Sequence, residues 1–152
     1  MLYIILYYNI KTYIILCYII MPNYQTSKIY RLFSPSKDLV YYGSTTEPLG
    51  TRLSKHLYTF NNKDKYKGNR DASTIIECLD YKIELVKDFP CENKKQLLKE
   101  EGTYIRENKC VNKFIAGRTP AEYRADNADR IKEYRKAYKE RKKQLLEKQK
   151  SN

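Results

Sequence analysis

Tryptophan is absent from this chain of 152 residues, and histidine occurs once, as His56. The four cysteines, Cys17, Cys78, Cys91 and Cys110, stand far apart with no C-x-x-C pair. A zinc knuckle needs clustered Cys and His, and a disulfide framework needs paired cysteines, so neither is indicated. The expectation is an intracellular, reducing compartment, cytoplasm or nucleus. Acids are also scarce, 18 against 30 Lys and Arg, which leaves a net charge of +12. That surplus points to a polyanionic partner, DNA ahead of a membrane surface, and away from a small-molecule substrate. The length suffices for one compact domain with an appendage and excludes two full domains. What is abundant is tyrosine, at 16 residues, beside much Ile, Lys and Asn. This is the mark of AT-biased coding and speaks to the genome rather than to mechanism.

Residues 1–20, MLYIILYYNIKTYIILCYII, are almost wholly apolar, yet they lack the basic leader and small-residue cleavage site of a secretory signal. The stretch is just long enough to span a bilayer. Lys11 would then sit at the midplane, at a cost of roughly 2.5–3.5 kcal/mol. Met21 opens MPNYQTSKIYRL in the manner of a soluble domain's start. The expectation is therefore that residues 1–20 lie upstream of the native product; a true anchor, with the protein attached to a membrane, is the alternative.

Residues 21–118 read as the globular domain. KIYRLF and DLVYYG flank SPSK, two β-rich runs around a proline turn, hence a hairpin. A loop of Ser34–Lys37 would set Phe33 against Asp38 and Tyr30 directly opposite Tyr41. Thr45 or Thr46 is expected to cap a helix with Glu47 and Pro48 in its first turn. Leu49, Leu53 and Leu57 form its buried seam, and Arg52 and His56, four apart, share the adjacent face. Tyr58–Asp71 reads as a basic loop, and Ala72–Leu79 as a strand or a helical turn. Lys82–Phe89 reads as a third strand. Glu92 or Asn93 opens a second long helix that ends near Lys109, and CVNKFIAGR leads out extended. The fold class is thus α/β (α+β), a small three-stranded, mainly antiparallel sheet flanked by helices. Residues 119–152 form a basic tail in which YRADNADRIKE and YRKAYKERKKQ make an 11-residue repeat, with 12 Lys/Arg against 6 Asp/Glu over 118–152. The period is helical; the competing expectation is a solvated, fraying tail.

One acid stands out. On the helix after Asn93, Leu97, Leu98, Tyr104 and Ile105 fall on one face, and Glu101 projects from the middle of that stripe. A carboxylate there must be paired to a cation or bound to a metal, because burying it alone costs several kcal/mol. Glu100 lies at the stripe's edge and reaches water.

These pieces resemble the GIY-YIG nuclease domain. Lys28-Ile29-Tyr30 stands at the first namesake motif, with Lys in place of Gly, and Tyr41-Tyr42-Gly43 at the second, with Tyr in place of Ile. Ten residues separate Tyr30 from Tyr41, as in the family. Arg52 in GTRLSKH, Glu101 in EGTYI and Asn112 in CVNK match the family's arginine, metal-binding glutamate and asparagine, and the likeness covers roughly 28–118. The resemblance implies a divalent-metal-dependent DNA endonuclease of homing or viral type, a monomer or weak dimer. Glu101 would hold Mg²⁺ or Mn²⁺, and Arg52 would fork onto phosphate. Tyr30 would orient or deprotonate the attacking water through a lowered phenol pKa. Tyr41 would bond water or phosphate, His56 would assist, Asn112 would tether the site, and Gly43 would let backbone approach closely. A catalytically idle nucleic-acid-binding module is the rival reading.

Overall fold

The computed structural model describes residues 21–65 and 71–150. Residues 1–20, with the choice between upstream segment and anchor, lie outside the described residues, as does 66–70 of the basic loop. Among the described residues no helix is long and apolar enough to cross a membrane. The chain divides into two compact units after Gly117.

The first unit is built on strands β1 (Lys28–Ser34), β2 (Leu39–Thr45) and β3 (Lys82–Asp88), in the order β2-β1-β3 with both pairings antiparallel. β1 is central because both of its faces are apolar: Ile29 is fully buried on one side, Tyr30 and Leu32 on the other. Helices α1 (Leu49–Asn61) and α2 (Asp71–Ile76) cover the Tyr30 face. Ile75 and Ile76, together with the half-buried Leu49, Leu53 and Leu57, close the core there. Helix α3 (Lys94–Glu107) covers the opposite face, where Ile29 packs with Cys91 and Leu97. Each such buried aliphatic contributes on the order of 1.5–3 kcal/mol. The Arg31–Glu84 pair across β1 and β3, at 2.7 Å, is half in water and contributes at most about 1 kcal/mol. The apolar alternation therefore sets the register. The sheet and its helices match the expected mixed fold.

The hairpin departs from expectation in its register. The turn occupies residues 35–38, so Ser34 stays in the strand opposite Leu39, Tyr30 faces Gly43, and Leu32 faces Tyr41. Asp80 causes this. Its carboxylate accepts from the Ser34 hydroxyl at 2.5 Å and from the Ser36 amide at 2.9 Å, wrapping the turn one residue later than SPSK alone suggests. Asp38, with φ of 50°, closes it in the left-handed conformation that aspartate tolerates. Because the displacement is by two residues, no face is exchanged. Tyr30 and Tyr41 remain on one face as diagonal neighbours, their ring centroids 6.4 Å apart.

Three further boundaries move. Thr45 belongs to β2, where its hydroxyl accepts the Glu47 amide at 3.0 Å, and α1 starts only after Pro48, with no side-chain cap. Helix α1 runs on to Asn61 because Leu57 and Phe60 still face the core, so Tyr58–Asn61 is helix rather than loop. Asp71, expected as the loop's end, is the buried first residue of α2. Asn93 caps α3 by accepting the Gln96 amide. The segment leaving α3 returns along the open edge of β2, where the Val111 amide donates to the Val40 carbonyl at 2.8 Å, covering an edge that would otherwise invite foreign strands.

The second unit, from Arg118 on, is helical. Helix α4 (Pro120–Asp126) opens on a capping box of Thr119 and Glu122 with Pro120 in its first turn, and Asn127 ends it before α5 (Ala128–Lys150).

Gly43 lies under the ring of Tyr30. A Cβ there would overlap the Tyr30 hydroxyl and come within 2.6 Å of its Cζ. Gly43→Ala should therefore cost about 1–3 kcal/mol, the usual penalty of an overfilled core. Urea denaturation reads this directly, and an unchanged midpoint would mean that the ring gives way freely.

Candidate active site

The register that places Gly43 opposite Tyr30 also sends the phenol across β2 toward α1. On α1, Arg52 and His56 lie one turn apart and both reach the same atom. Arg52 Nε donates to the Tyr30 oxygen at 2.9 Å, and His56 Nε2 lies 2.7 Å from it. Tyr41 joins them, its ring 5.7 Å from the imidazole in an edge contact and 6.4 Å from the Tyr30 ring. Four of the six residues expected at the site, Tyr30, Tyr41, Arg52 and His56, thus form one cluster.

Burial governs its electrostatics. Tyr30 is fully buried, and desolvation pushes its phenol pKa up despite the opposing pull of Arg52. The lowered pKa expected from nearby cations is therefore not present: at this depth the loss of water outweighs one guanidinium. Tyr41 is pushed up more strongly, again by burial and next by Tyr30. Arg52 is held above its usual value by the two phenols and Glu101, although burial opposes this. Burial, seconded by Arg52, drives His56 down to about 4, so the ring is neutral at pH 7. With Arg52 donating and the phenol protonated, the tautomer that carries the ring proton on Nδ1 lets the Tyr30 hydroxyl donate to His56 Nε2. The imidazole is then the acceptor.

Glu101 approaches from the opposite face of the sheet. It is half-buried on α3 between Leu97 and Ile105, and its Oε2 accepts from Ser44 Oγ at 2.5 Å. Desolvation raises its pKa, while Ser44 and Arg52 pull it back. Among the described residues no ion pair reaches it, and the Arg52 guanidinium acts on it from farther off. Glu100 does form one, with Lys87 at 2.8 Å, as its place at the stripe's edge suggests. The next residue, Gly102, is needed because a Cβ there would strike the Ala116 carbonyl. The C-terminal segment of this unit thus presses α3 into place beside Glu101.

Asn112 stands apart from the phenol cluster. Its Oδ1 accepts the Tyr42 amide at 2.9 Å and its Nδ2 donates to the Tyr42 carbonyl at 2.8 Å. It clamps the outer edge of β2 between the two residues that address the site, Tyr41 and Gly43, and so acts as a positioning residue. Two contributors escaped the sequence. Ser44, next to the second motif, holds Glu101; its alternation with Gly43 on β2 was the available signal. Buried Asp71 accepts the Lys113 amide at 2.7 Å, fastening the Asn112 segment to α2, and nothing local in the sequence marks it.

Among the described residues no three His, Cys, Asp or Glu side chains gather, so there is no closed protein cage for an ion. Glu101 offers one hard carboxylate within electrostatic reach of Arg52 and the phenols. A donor set of that kind suits a cation such as Mg²⁺ that keeps several waters, and not zinc, which wants nitrogen and sulfur.

His56 gives the cluster a pH signature. Its pKa falls from 6.5 to about 4 on folding, so its contribution to stability is complete above pH 6.5 and is lost as the pH drops toward 4. Melting temperatures followed across that window should fall less steeply in His56→Gln than in the parent chain. Equal slopes would mean that burial does not hold the ring neutral.

The sequence signature of the GIY-YIG catalytic domain matches residues 27–115. No curated protein and no solved structure matches the chain. The matched stretch takes in the whole sheet, α1 to α3, both tyrosines, Arg52, His56, Glu101 and Asn112, and on that match the chain belongs to the GIY-YIG catalytic-domain family, a family of nucleases.

Proposed function

We propose that this protein is a divalent-metal-dependent DNA endonuclease that hydrolyses phosphodiester bonds with one site per chain. The observation that carries the proposal is the Tyr30 hydroxyl held between Arg52 Nε and neutral His56 Nε2. A buried phenol bonded to a guanidinium and an uncharged imidazole is a proton relay with a phosphate-binding group attached. Water presented to Tyr30 gives a proton to the phenol oxygen as the phenol passes its own to His56 Nε2. Two O–H bonds break, the water's and the phenol's own, while a new phenol O–H and an imidazole Nε2–H form, so the phenol is never left deprotonated and needs no lowered pKa. A phosphodiester beside His56 adds negative charge and raises the imidazole's proton affinity as the relay requires. Arg52 meets the charge that develops on phosphorus-bound oxygen, and Tyr41 bonds the phenol or the phosphate.

Glu101, held by Ser44, would bind Mg²⁺ or Mn²⁺, which when bound neutralises phosphate charge and lowers the pKa of its water. The basic second unit supplies sequence-independent phosphate contacts. A single relay per chain makes nicking the elementary reaction, carried out by a monomer or weak dimer. An intracellular, reducing setting suits Cys78, Cys91 and Cys110, all free thiols, and a homing or virus-encoded role suits a catalytic domain with a basic tail.

Glu101→Gln tests the reading. The amide can still accept from Ser44, but the charge that binds the cation is gone. Plasmid nicking in Mg²⁺ should fall by orders of magnitude while DNA binding persists. The melting temperature should hold or rise, because an acid whose pKa burial raises destabilises the fold at neutral pH. A structural acid would behave the other way, since loss of a buried interaction typically costs about 3–5 kcal/mol. A destabilised variant that still nicks would overturn the proposal.

A further inference from the structure

The four acids of α5 fall on one strip, with most of the helix's cations to one side of it and Arg130 and Arg141 on the other. At 100° per residue, Lys132, Arg135, Lys136, Lys139, Lys142 and Lys143 occupy one continuous arc of about 120° with no acid in it. All six are exposed. The four acids of the helix, Asp129, Glu133, Glu140 and Glu147, fall together on a strip of about 40°, bordering Lys136 and Lys143. An ion pair of this helix, Lys143 to Glu147 at 3.9 Å, lies on that border. Arg135, Lys139 and Lys142 lie on the far side of the arc, beyond reach of the acids, where they border a stripe of Tyr134, Tyr138, Ile131 and Leu145. A helix meant only to stay in water gains by interspersing its charges, because opposite signs at i,i+4 stabilise and like signs repel. Here Arg135, Lys139 and Lys142 crowd one another with no acid nearby, an arrangement that an external polyanion would relieve.

We propose that this basic arc of α5 is a docking surface for duplex DNA, with the acidic strip along one edge and the tyrosine stripe along the other. The proposal rests on the nuclease reading for its choice of polyanion. From Lys132 to Lys143 the helix rises about 17 Å, a length over which a duplex presents about ten phosphate charges. Six cations on one face can therefore meet a continuous line of phosphates. A second copy of the helix is disfavoured, since two such arcs repel. An anionic membrane would require a deeper apolar face than two tyrosines, Ile131 and Leu145 provide.

The test separates the face from the charge. In the full chain, Glu133→Lys with Arg135→Glu and Glu140→Lys with Lys139→Glu leave net charge and composition class unchanged but scatter the arc. Duplex binding is followed by fluorescence anisotropy across a salt series without divalent cation, and helix content by circular dichroism. The variant carrying only the 139/140 exchange serves should the fourfold change melt α5. The fourfold variant should lose at least tenfold in affinity near 0.15 M salt, and its log–log salt slope should shrink by about 2, or 0.9 per lost phosphate contact. Equal affinity and slope for parent and variant would overturn the proposal, as would binding by the parent to phosphatidylserine vesicles in preference to duplex. Because binding is read without the reaction, a chain that binds as expected and never nicks defeats only the nuclease reading. A chain that nicks while ignoring the exchange defeats only this inference.

Discussion

A phenol sealed from water must find partners for its proton and its lone pairs inside the protein, or forfeit a few kcal/mol. Tyr30 meets that requirement with Arg52 Nε and His56 Nε2, and the rest of the first unit is arranged so that it can. The partners must come from a helix crossing the Tyr30 face, and the two must lie four residues apart to reach one oxygen. The strand beneath must carry no Cβ where the ring lies. The same burial that makes these bonds compulsory sets the protonation states: phenols held protonated and an imidazole held neutral. A stable core and a poised relay here have one physical cause.

Strand β2 distributes the other contacts. Residues 41–44 each address a different partner: Tyr41 turns to His56, Tyr42 gives its backbone to Asn112 and its ring to Tyr104 at 5.9 Å, Gly43 leaves room for Tyr30, and Ser44 holds Glu101. The alternation of a strand thus brings an acid on one face of the sheet and a phenol relay on the other to the same short stretch of backbone. Asn112 secures that stretch from its open side. A residue that looks catalytic from its place in a motif can therefore act wholly through the geometry of others.

The elements most legible in the sequence were those written in local periodicity: the Leu49, Leu53, Leu57 seam, the α3 stripe around Glu101, and the helical spacing of Arg52 and His56. What was not legible depended on distant partners. The hairpin register turned on Asp80, more than forty residues from the turn it holds, and the roles of Ser44 and Asp71 on contacts of comparable span. The phenol's pKa was misjudged because counting nearby cations gives one sign and burial gives the other, and burial is a property of the folded core alone. Helix α5 was legible as a charge surplus, but the placing of most cations to one side of the acids depends on the residues being one continuous helix.

Two motif positions depart from the family's letters, and the packing shows why the fold accepts them. Lys28, where the first motif has glycine, is an ordinary half-buried strand residue paired with Thr45 and Asp88. Its extended backbone needs no special freedom, and its side chain has a way out to water. Tyr42, where the second motif has isoleucine, turns away from the relay and lays its ring against Tyr104, exchanging an aliphatic contact for an aromatic one. Gly43 has no such latitude, because the space a side chain would need is taken by Tyr30 itself. The motif's letters therefore differ in physical weight. Those that face open volume can vary without moving the phenol, whereas those that bound Tyr30 cannot, and the second group is intact in this chain.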